Sequence, residues 1–415
     1  MSLAARTHAV LQEALDVYQD SPRATSWLQR QLTRFDDPLR LAVVGPRGSG
    51  RSTLLAALAG EQPQGEMTWF RTSPGRSQDE LMLMDTPAID GGAAPSTIEG
   101  ICMDADAVLY LVRRPSGADL SFLHTLQDHP VARAAAVNAL IVLSRADELG
   151  GGRVDAVISA RQVARRYRVA PEVAGLCQDV VPVAGLPALA ARTLTEPEFA
   201  LLRALAAVPR EELEPRLLSA DRFAAAEFPA PVAASDRAAL LARFGIFGVR
   251  LAMTLIRRGA DTLPALAGQL VPRSGLADLR EAIDGYFVAR RDVLKARSAL
   301  IGLEVVLRME PRPAAAGLAA ELERLLAGAH DFRELRLVAA LQTGRTSFSA
   351  ELKAEALRLL GAGGTSRAAR LGPDQVLPAV RRWRDQAENP ELSAGERRAA
   401  AVVLRSCEAM ANGTI

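Results

Sequence analysis

Apolar residues recur at helical spacing in the first segment. Leu11, Leu15 and Tyr18, then Trp27, Leu28, Leu32 and Phe35, predict two helices within residues 3–36. Pro38 ends the pattern, and "LRLAVVG" follows, a short apolar run closed by glycine, as a buried strand is. From there to about residue 207 the pattern alternates. Strands are expected at 39–44, 67–71, 81–85, 107–112, 139–144 and 180–184, and helices at 52–59, 119–127, 154–167 and 196–206. Alternation of this kind implies a doubly wound, mostly parallel sheet, whose ligands sit at the carboxyl ends of the strands.

After residue 208 the strand signal stops. "ADLREAIDGYFVARRDVLKARSALIGLEVVL" has the period of one long amphipathic helix, and "AAELERLLAGAHDFRELRLVAAL" and "AELKAEALRLLGAG" predict shorter ones. Glycine and proline punctuate them at 272–275 and 311–313. The expected fold class is therefore α/β plus all-α: N-terminal helices (1–37) packing on a C-terminal helical bundle (208–415), with the α/β domain (38–207) between. No internal repeat is visible, and "LGAGGTSRAARLGP", residues 360–373, reads as a flexible link.

Composition changes this picture little. The 415 residues suffice for two or three domains, 49% are apolar and only 4% aromatic, a mix that favours helices. A formal net charge of +2 with no basic arm argues against a dedicated nucleic-acid binder. Cys102, Cys177 and Cys407 are odd in number and far apart, which suits a reducing compartment without disulfides or zinc, and the four histidines form no metal set. The N-terminus lacks a signal-peptide pattern, and "ALLARFGIFGVRLAMTLI" is interrupted by Arg243 and Arg250 short of the roughly 20 apolar residues of a membrane span. A cytoplasmic protein, peripheral to a membrane at most, is the expectation. Phe244, Ile246 and Phe247 read either as an apolar membrane-touching tip or, more simply, as core. Lysine occurs only at 295 and 353, so arginine carries the remaining basic charge.

That last point bears on "GPRGSGRST", Gly45 to Thr53. The spacing is that of a phosphate-binding loop, G-x-x-x-x-G-K-[ST]. A strand delivers the chain to Gly45, Gly48 and Gly50 let the backbone N–H groups turn inward around Ser49, and a helix opens at Ser52 with its positive dipole end. Ser52 stands where a Mg²⁺-binding hydroxyl belongs. Arg51 replaces the lysine that reaches the β- and γ-phosphates. A guanidinium is broader than an ammonium, so it either points differently or fills the space of the γ-phosphate.

Companion motifs follow in order. "LMLMDTPAID" ends a strand in Asp85 and resembles the D-x-x-G switch, with Ala88 in place of the glycine that permits peptide rotation. "ALIVLSRADELG" ends a strand in Ser144-Arg145-Ala146-Asp147 and resembles the guanine-reading [NT]-K-x-D motif, whose carboxylate accepts two hydrogen bonds from guanine. "VVPVAGLPA" places the backbone N–H of Ala184 where a fifth motif meets the guanine carbonyl. A first-switch threonine is missing from "GEQPQGE", and Thr68 and Thr72 are the substitutes at hand.

The order and wording of these motifs resemble the bacterial dynamin-like GTPases, and within them the actinobacterial isoniazid-inducible protein C family. "PLRLAVVG", "TWFR", "SRADELGGGRVDA", "VVPVAGLPALAARTL", "LLARFGIFGVRLA" and "RSGLADLREAIDGYFVARRDVLKARSAL" carry the likeness across nearly the whole chain. The resemblance implies a P-loop GTPase-like head and a helical neck or trunk. Its implied ligands are GTP or GDP with Mg²⁺, held by Gly45, Gly50, Arg51 and Ser52 at the phosphates, Asp85 in the metal shell and Asp147 at the base. It implies membrane remodelling or envelope maintenance at the inner face of the cell membrane, with self-association or pairing with a dynamin-like paralogue. Arg51, Ala88 and the short first switch all remove contacts to the γ-phosphate, so hydrolysis is expected to be weak or absent. Two further readings stay open: a pseudo-GTPase subunit serving a competent paralogue, and an ATPase of the same loop class, which leaves Asp147 unexplained.

Overall fold

The computed structural model describes residues 3–60, 69–71, 81–89, 95–117, 119–128, 138–149, 152–173, 176–225, 227–328, 330–342, 344, 346–362, 367–372 and 375–412. Six strands form one sheet: β1 Leu39–Val44, β2 Trp69–Arg71, β3 Leu81–Asp85, β4 Ala107–Val112, β5 Ala139–Ser144 and β6 Val180–Val183. Their order is β2-β3-β1-β4-β5-β6, with every pairing parallel except that of the edge strand β2 with β3. β4 and β5 are buried along their whole length, which is why they read as unbroken apolar runs and not as alternating ones.

The helices within the α/β half are α3 Arg51–Ala59, α4 Pro95–Asp104, α5 Ser121–Asp128, α6 Ala146–Leu149, α7 Ala156–Val169, α8 Gly185–Arg192 and α9 Glu196–Ala207. Before them lie α1 Leu3–Val17 and α2 Pro22–Thr33. After them come the short α10 Arg210–Leu213 and α11 Ala220–Ala224, then α12 Ala234–Arg257, α13 Leu263–Arg273, α14 Leu276–Tyr286 and α15 Arg291–Met309. The chain ends through α16 Ala316–Gly328, α17 His330–Gln342, α18 Ala350–Leu359, α19 Arg367–Arg370, α20 Val376–Glu388 and α21 Ala394–Ala411. Capping chemistry marks many starts. Ser21, Thr262 and Ser349 accept from backbone N–H groups of the first turn, and Thr195 with Glu198 and Ser393 with Glu396 form reciprocal boxes.

The fold is α/β plus all-α, and its two halves share cores. One face of the sheet buries Leu54, Leu55 and Leu58 of α3 together with Leu276, Leu279 and Ile283 of α14. The other face packs on Ile98, Ile101, Phe122, Leu123 and Ala164 of α4, α5 and α7. A further core joins α8 and α9 to α12 and α13. α1 and α2 lie on α15 and α16 through Leu11, Tyr18, Leu28, Leu300 and Leu303. Beneath the amino ends of the strands, Arg34 pairs with Asp106 at 3.0 Å while Lys295 lies 3.8 Å from the same carboxylate and donates to the Arg34 carbonyl. This buried cluster ties α2, β4 and α15 together.

Two expectations change, and a third reading is decided. The long helical period from 277 to 307 is broken at Phe287, which is fully buried under the sheet, and a 3₁₀ turn at Val288–Arg290 redirects the chain. Arg290, buried in that turn, donates to the carbonyls of Leu360 and Gly361. The segment 360–373 is not a loose link where it is described. Arg370 is buried on Glu334 at 3.0 Å, where an unpaired carboxylate would be costly, and Leu371 packs into the apolar core of the C-terminal helices. Phe244 and Phe247 are core residues, and Gly245, at φ 63° and ψ 170°, kinks α12 between them. By length and composition α12 alone among the described residues could cross a membrane, and half of its apolar window is buried in the fold.

Candidate functional site

In the strand order, β1 has β3 on one side and β4 on the other, so the chain's direction of travel across the sheet reverses there. A crevice beyond the carboxyl end of β1 is the ligand position of such a sheet. The chain leaves Val44 into Gly45, which runs so close to β4 that a Cβ would lie 2.5 Å from the Leu111 carbonyl oxygen. Gly48 and Gly50 then adopt left-handed φ values of 72° and 90°. α3 opens directly after Gly50 with no side chain capping it, which leaves the first-turn N–H groups for an anion. Ser49 Oγ is buried beside them without a hydrogen-bond partner.

The pair expected at the metal converges. Ser52 Oγ donates to Asp85 Oδ2 at 2.6 Å, and Asp85 Oδ1 is buried with no partner at all. A hydroxyl beside a carboxylate whose second oxygen is orphaned is a donor set suited to a hard cation that takes its other ligands from phosphate and water, so the residues present fit Mg²⁺. The described residues contain no cluster of three or more His, Cys, Asp or Glu side chains arranged for a metal.

Arg51 resolves the alternative left open by its width. Its Nη1 donates to the Thr86 carbonyl, across to the turn that follows Asp85. That turn is held to the loop a second time by the Ile89 N–H on the Gly45 carbonyl, 3.1 Å, and its Thr86 hydroxyl donates to Val43 at 3.1 Å. Ala88 sits half-buried between these ties. Thr53 faces Gly185 at the start of α8. Thr68 and Thr72 lie outside the described residues.

A cavity of about 180 Å³ opens between the loop and the base motif, bordered by Ser49, Gly50, Thr53, Ser144, Arg145 and Asp147. A second, of about 550 Å³, adjoins it and is bordered by Arg47, Arg113, Arg114 and again Ser49, Ser144 and Arg145. Arg145 therefore edges both. Its backbone has a positive φ of 51°, and its guanidinium pairs with Glu148 at 2.9 Å and donates to the Gly48 carbonyl at 3.2 Å. Arg113 reaches the same carbonyl at 3.4 Å. Ser144 Oγ is buried without a partner. Asp147 is half-buried and its carboxyl pKa is raised, chiefly by burial, with Glu148 adding to the rise and Arg145 opposing it.

Ala184 departs from its expected role. Its N–H donates to the Ser274 carbonyl at 2.9 Å, so it is already engaged. The acceptor belongs to the turn between α13 and α14, where Gly275 has φ 83° and approaches so closely that a Cβ would stand 2.1 Å from the Pro182 carbonyl oxygen. Gly185 and Leu186 border the cavity instead, as the first residues of α8, whose N–H groups have no partner within the helix. Only the left-handed glycine in "RSGLADL" hints at this contact in the sequence.

One other cluster has the outline of a catalytic set. His330 Nε2 lies 2.9 Å from Ser406 Oγ, which donates to Glu334 Oε1 at 2.6 Å. Ser406 is fully buried and Glu334 is held by Arg370, so the cluster is an internal ion-pair network.

No protein-family model matches the chain. It is 34% identical, over 485 aligned positions, to the isoniazid-induced protein IniC of Mycobacterium tuberculosis, in strains CDC 1551 / Oshkosh and ATCC 25618 / H37Rv, an alignment that spans 99% of this chain and 98% of the relative. Among solved structures, a GTP-binding protein from the hyperthermophilic archaeon Sulfolobus solfataricus in complex with GDP superposes on 45% of this chain with a TM-score of 0.25 and 16% identity. That match spans 62% of the archaeal protein, under two thirds of its length. The LeoA bacterial dynamin GTPase from ETEC superposes over 99% of this chain and 87% of its own, with a TM-score of 0.29 and 14% identity. Superpositions this loose carry no argument about function.

Proposed function

Because the chain belongs to the family of the isoniazid-induced protein IniC, whose name states no activity, we propose its function from the site: it binds a guanine nucleotide with Mg²⁺ and hydrolyses GTP weakly or not at all. The observation that carries this is the placement of Ser49, Gly50 and Asp147 on one cavity, with Ser52 and the orphaned Asp85 oxygen beside it. The left-handed glycines and the uncapped start of α3 hold the diphosphate, and the Asp147 carboxylate accepts from the purine. Ser144 and Arg145 flank that purine, with the N–H groups of Gly185 and Leu186 on its far side.

Weak hydrolysis follows from Arg51. Its guanidinium is engaged with Thr86 and so is not free to follow charge developing on a γ-phosphate. The same contact favours a second reading, a pseudo-GTPase subunit that pairs with a competent dynamin-like paralogue. We also propose peripheral association with the inner face of the cell membrane and a part in membrane remodelling or envelope maintenance. The support is the dynamin-like wording of the motifs, and liposome co-sedimentation with and without nucleotide tests it.

Calorimetric titration with GDP, GTP and ATP in the presence of Mg²⁺ tests the main reading. GDP is expected to bind and ATP to compete poorly. Absence of any GDP or GTP heat up to about 1 mM, a binding energy of only about 4 kcal/mol, rejects it. Arg51→Lys is expected to raise GTP turnover by at least tenfold, about 1.4 kcal/mol of barrier. Turnover in the unaltered chain that is well above background and lost in Ser52→Ala rejects the pseudo-GTPase reading.

A further inference from the structure

A groove of about 1040 Å³ separates α7, which follows the Asp147 turn, from the helical half of the chain. α12 lines it from below, α10 and the 3₁₀ turn after it from the side, and the end of α13 closes it. Seven arginines line it, against the carboxylates Asp155 and Glu214. Three are matched: Arg153 with Asp155 at 3.3 Å, Arg161 with Asp278 at 2.7 Å, and Arg210 with Glu214. The other four, Arg250, Arg257, Arg258 and Arg273, have no carboxylate within ion-pair distance among the described residues.

Two of these four are fixed in place by backbone carbonyls, with Glu214 also acting on the Arg250 charge from outside ion-pair distance. Arg250 donates to the carbonyls of Gly152 at 2.8 Å and Leu217 at 2.6 Å, and Arg257 to those of Ala206 at 2.9 Å and Val208 at 2.7 Å. Arg273 is exposed and donates only to Gln269 of its own helix, and Arg258 is exposed as well. A concave surface lined with one sign of charge focuses the field toward anions.

The rim is apolar. Val154, Ile158 and Leu218 are 43%, 58% and 65% exposed, three of the seven large apolar side chains left exposed among the described residues. Single exposed apolar residues are ordinary, but three around one cationic groove call for a ligand that satisfies both features. A free phosphate would leave the rim wet, and a flat bilayer surface cannot descend to Arg250. An amphipathic helix, about 10 Å across, carries both kinds of side chain on one face. Carboxylates and apolar residues spaced three or four apart on such a helix face one side together.

We propose that this groove is the docking site for an acidic amphipathic helix of a partner protein. Its carboxylates meet Arg250, Arg257, Arg258 and Arg273, and its apolar face rests on Ile158 and Leu218.

A fluorescein-labelled helical peptide of about 18 residues, roughly five turns, with Glu and Leu on one face, serves as the probe in anisotropy titrations of the full chain. A scrambled peptide of equal composition, phosphatidylserine vesicles and inorganic pyrophosphate are the comparison arms. The acidic helix is expected to bind with a Kd on the order of 10 μM at low salt and to weaken steadily as salt rises. Arg258→Glu with Arg273→Glu is expected to weaken it by at least about tenfold, and Leu218→Ser by about threefold, with unchanged circular dichroism. Equal binding of the scrambled peptide, binding unaffected by these substitutions, or arginine-dependent binding of vesicles or pyrophosphate without binding of the helix, each overturns the proposal. Should the double variant fail to fold, Leu218→Ser and the salt titration of the unaltered chain decide the same question.

Discussion

At position 51 a guanidinium occupies the place of the ammonium that a phosphate loop ordinarily presents, and its contact is with Thr86. The planar fork can bridge to a carbonyl of the neighbouring turn, while a lysine at the same Cα would remain a mobile point charge. The Thr86 turn is thereby fastened to the loop by a side chain as well as by the Ile89 amide. On the proposed reading the group at the base end is Asp147, whose raised pKa reflects its burial. Only the ionised carboxylate accepts both hydrogen bonds of a guanine, so GDP affinity should fall on acidification at a pH above that of an ordinary aspartate. Asp147→Asn should flatten that profile and weaken GDP roughly 10- to 100-fold, read by calorimetry across pH. The convergence of Ser49, Gly50 and Asp147 on one cavity, and of Ser52 on Asp85, was legible because spacing at strand ends sets those positions. The directions of Arg51 and of the Ala184 amide were not, since each depends on a partner remote in sequence.

Among the elements, the α13–α14 turn shows most clearly how helix and strand constrain each other. Gly275 must be left-handed for α14 to start, and it must lack a side chain because Pro182 of β6 is in the way. Gly275→Ala should destabilise the chain by about 3 kcal/mol, combining a left-handed penalty with a backbone clash, measurable as a shift in urea midpoint without change in slope. Strand positions were readable from apolar runs. The break at Phe287 was not, because a single 3₁₀ turn leaves the apolar period nearly continuous across it. What ends the helix there is the burial of Phe287 against the sheet, a tertiary effect that local pattern does not encode.

For the molecule as a whole, the cluster of Arg34, Asp106 and Lys295 joins the N-terminal helices, the sheet and α15 at the edge opposite the site. Burial pushes the Lys295 ammonium down to about 8 from 10.5, outweighing the opposing pull of Asp106. Between those two values the unfolded chain binds the proton that the folded chain has released, so this group makes stability rise with pH across the interval. Urea melts of the unaltered chain and of Lys295→Met at about pH 8 and about pH 10 should show a rise in the former that the latter lacks. The helical half is also joined to the sheet near the site, through the hydrogen bond from Ala184 to Ser274. That bond behaves like a linkage pin. If the helices swing away from the sheet, the floor of the proposed purine pocket is dragged with them or the pin shears, so on that reading posture and nucleotide grip are coupled.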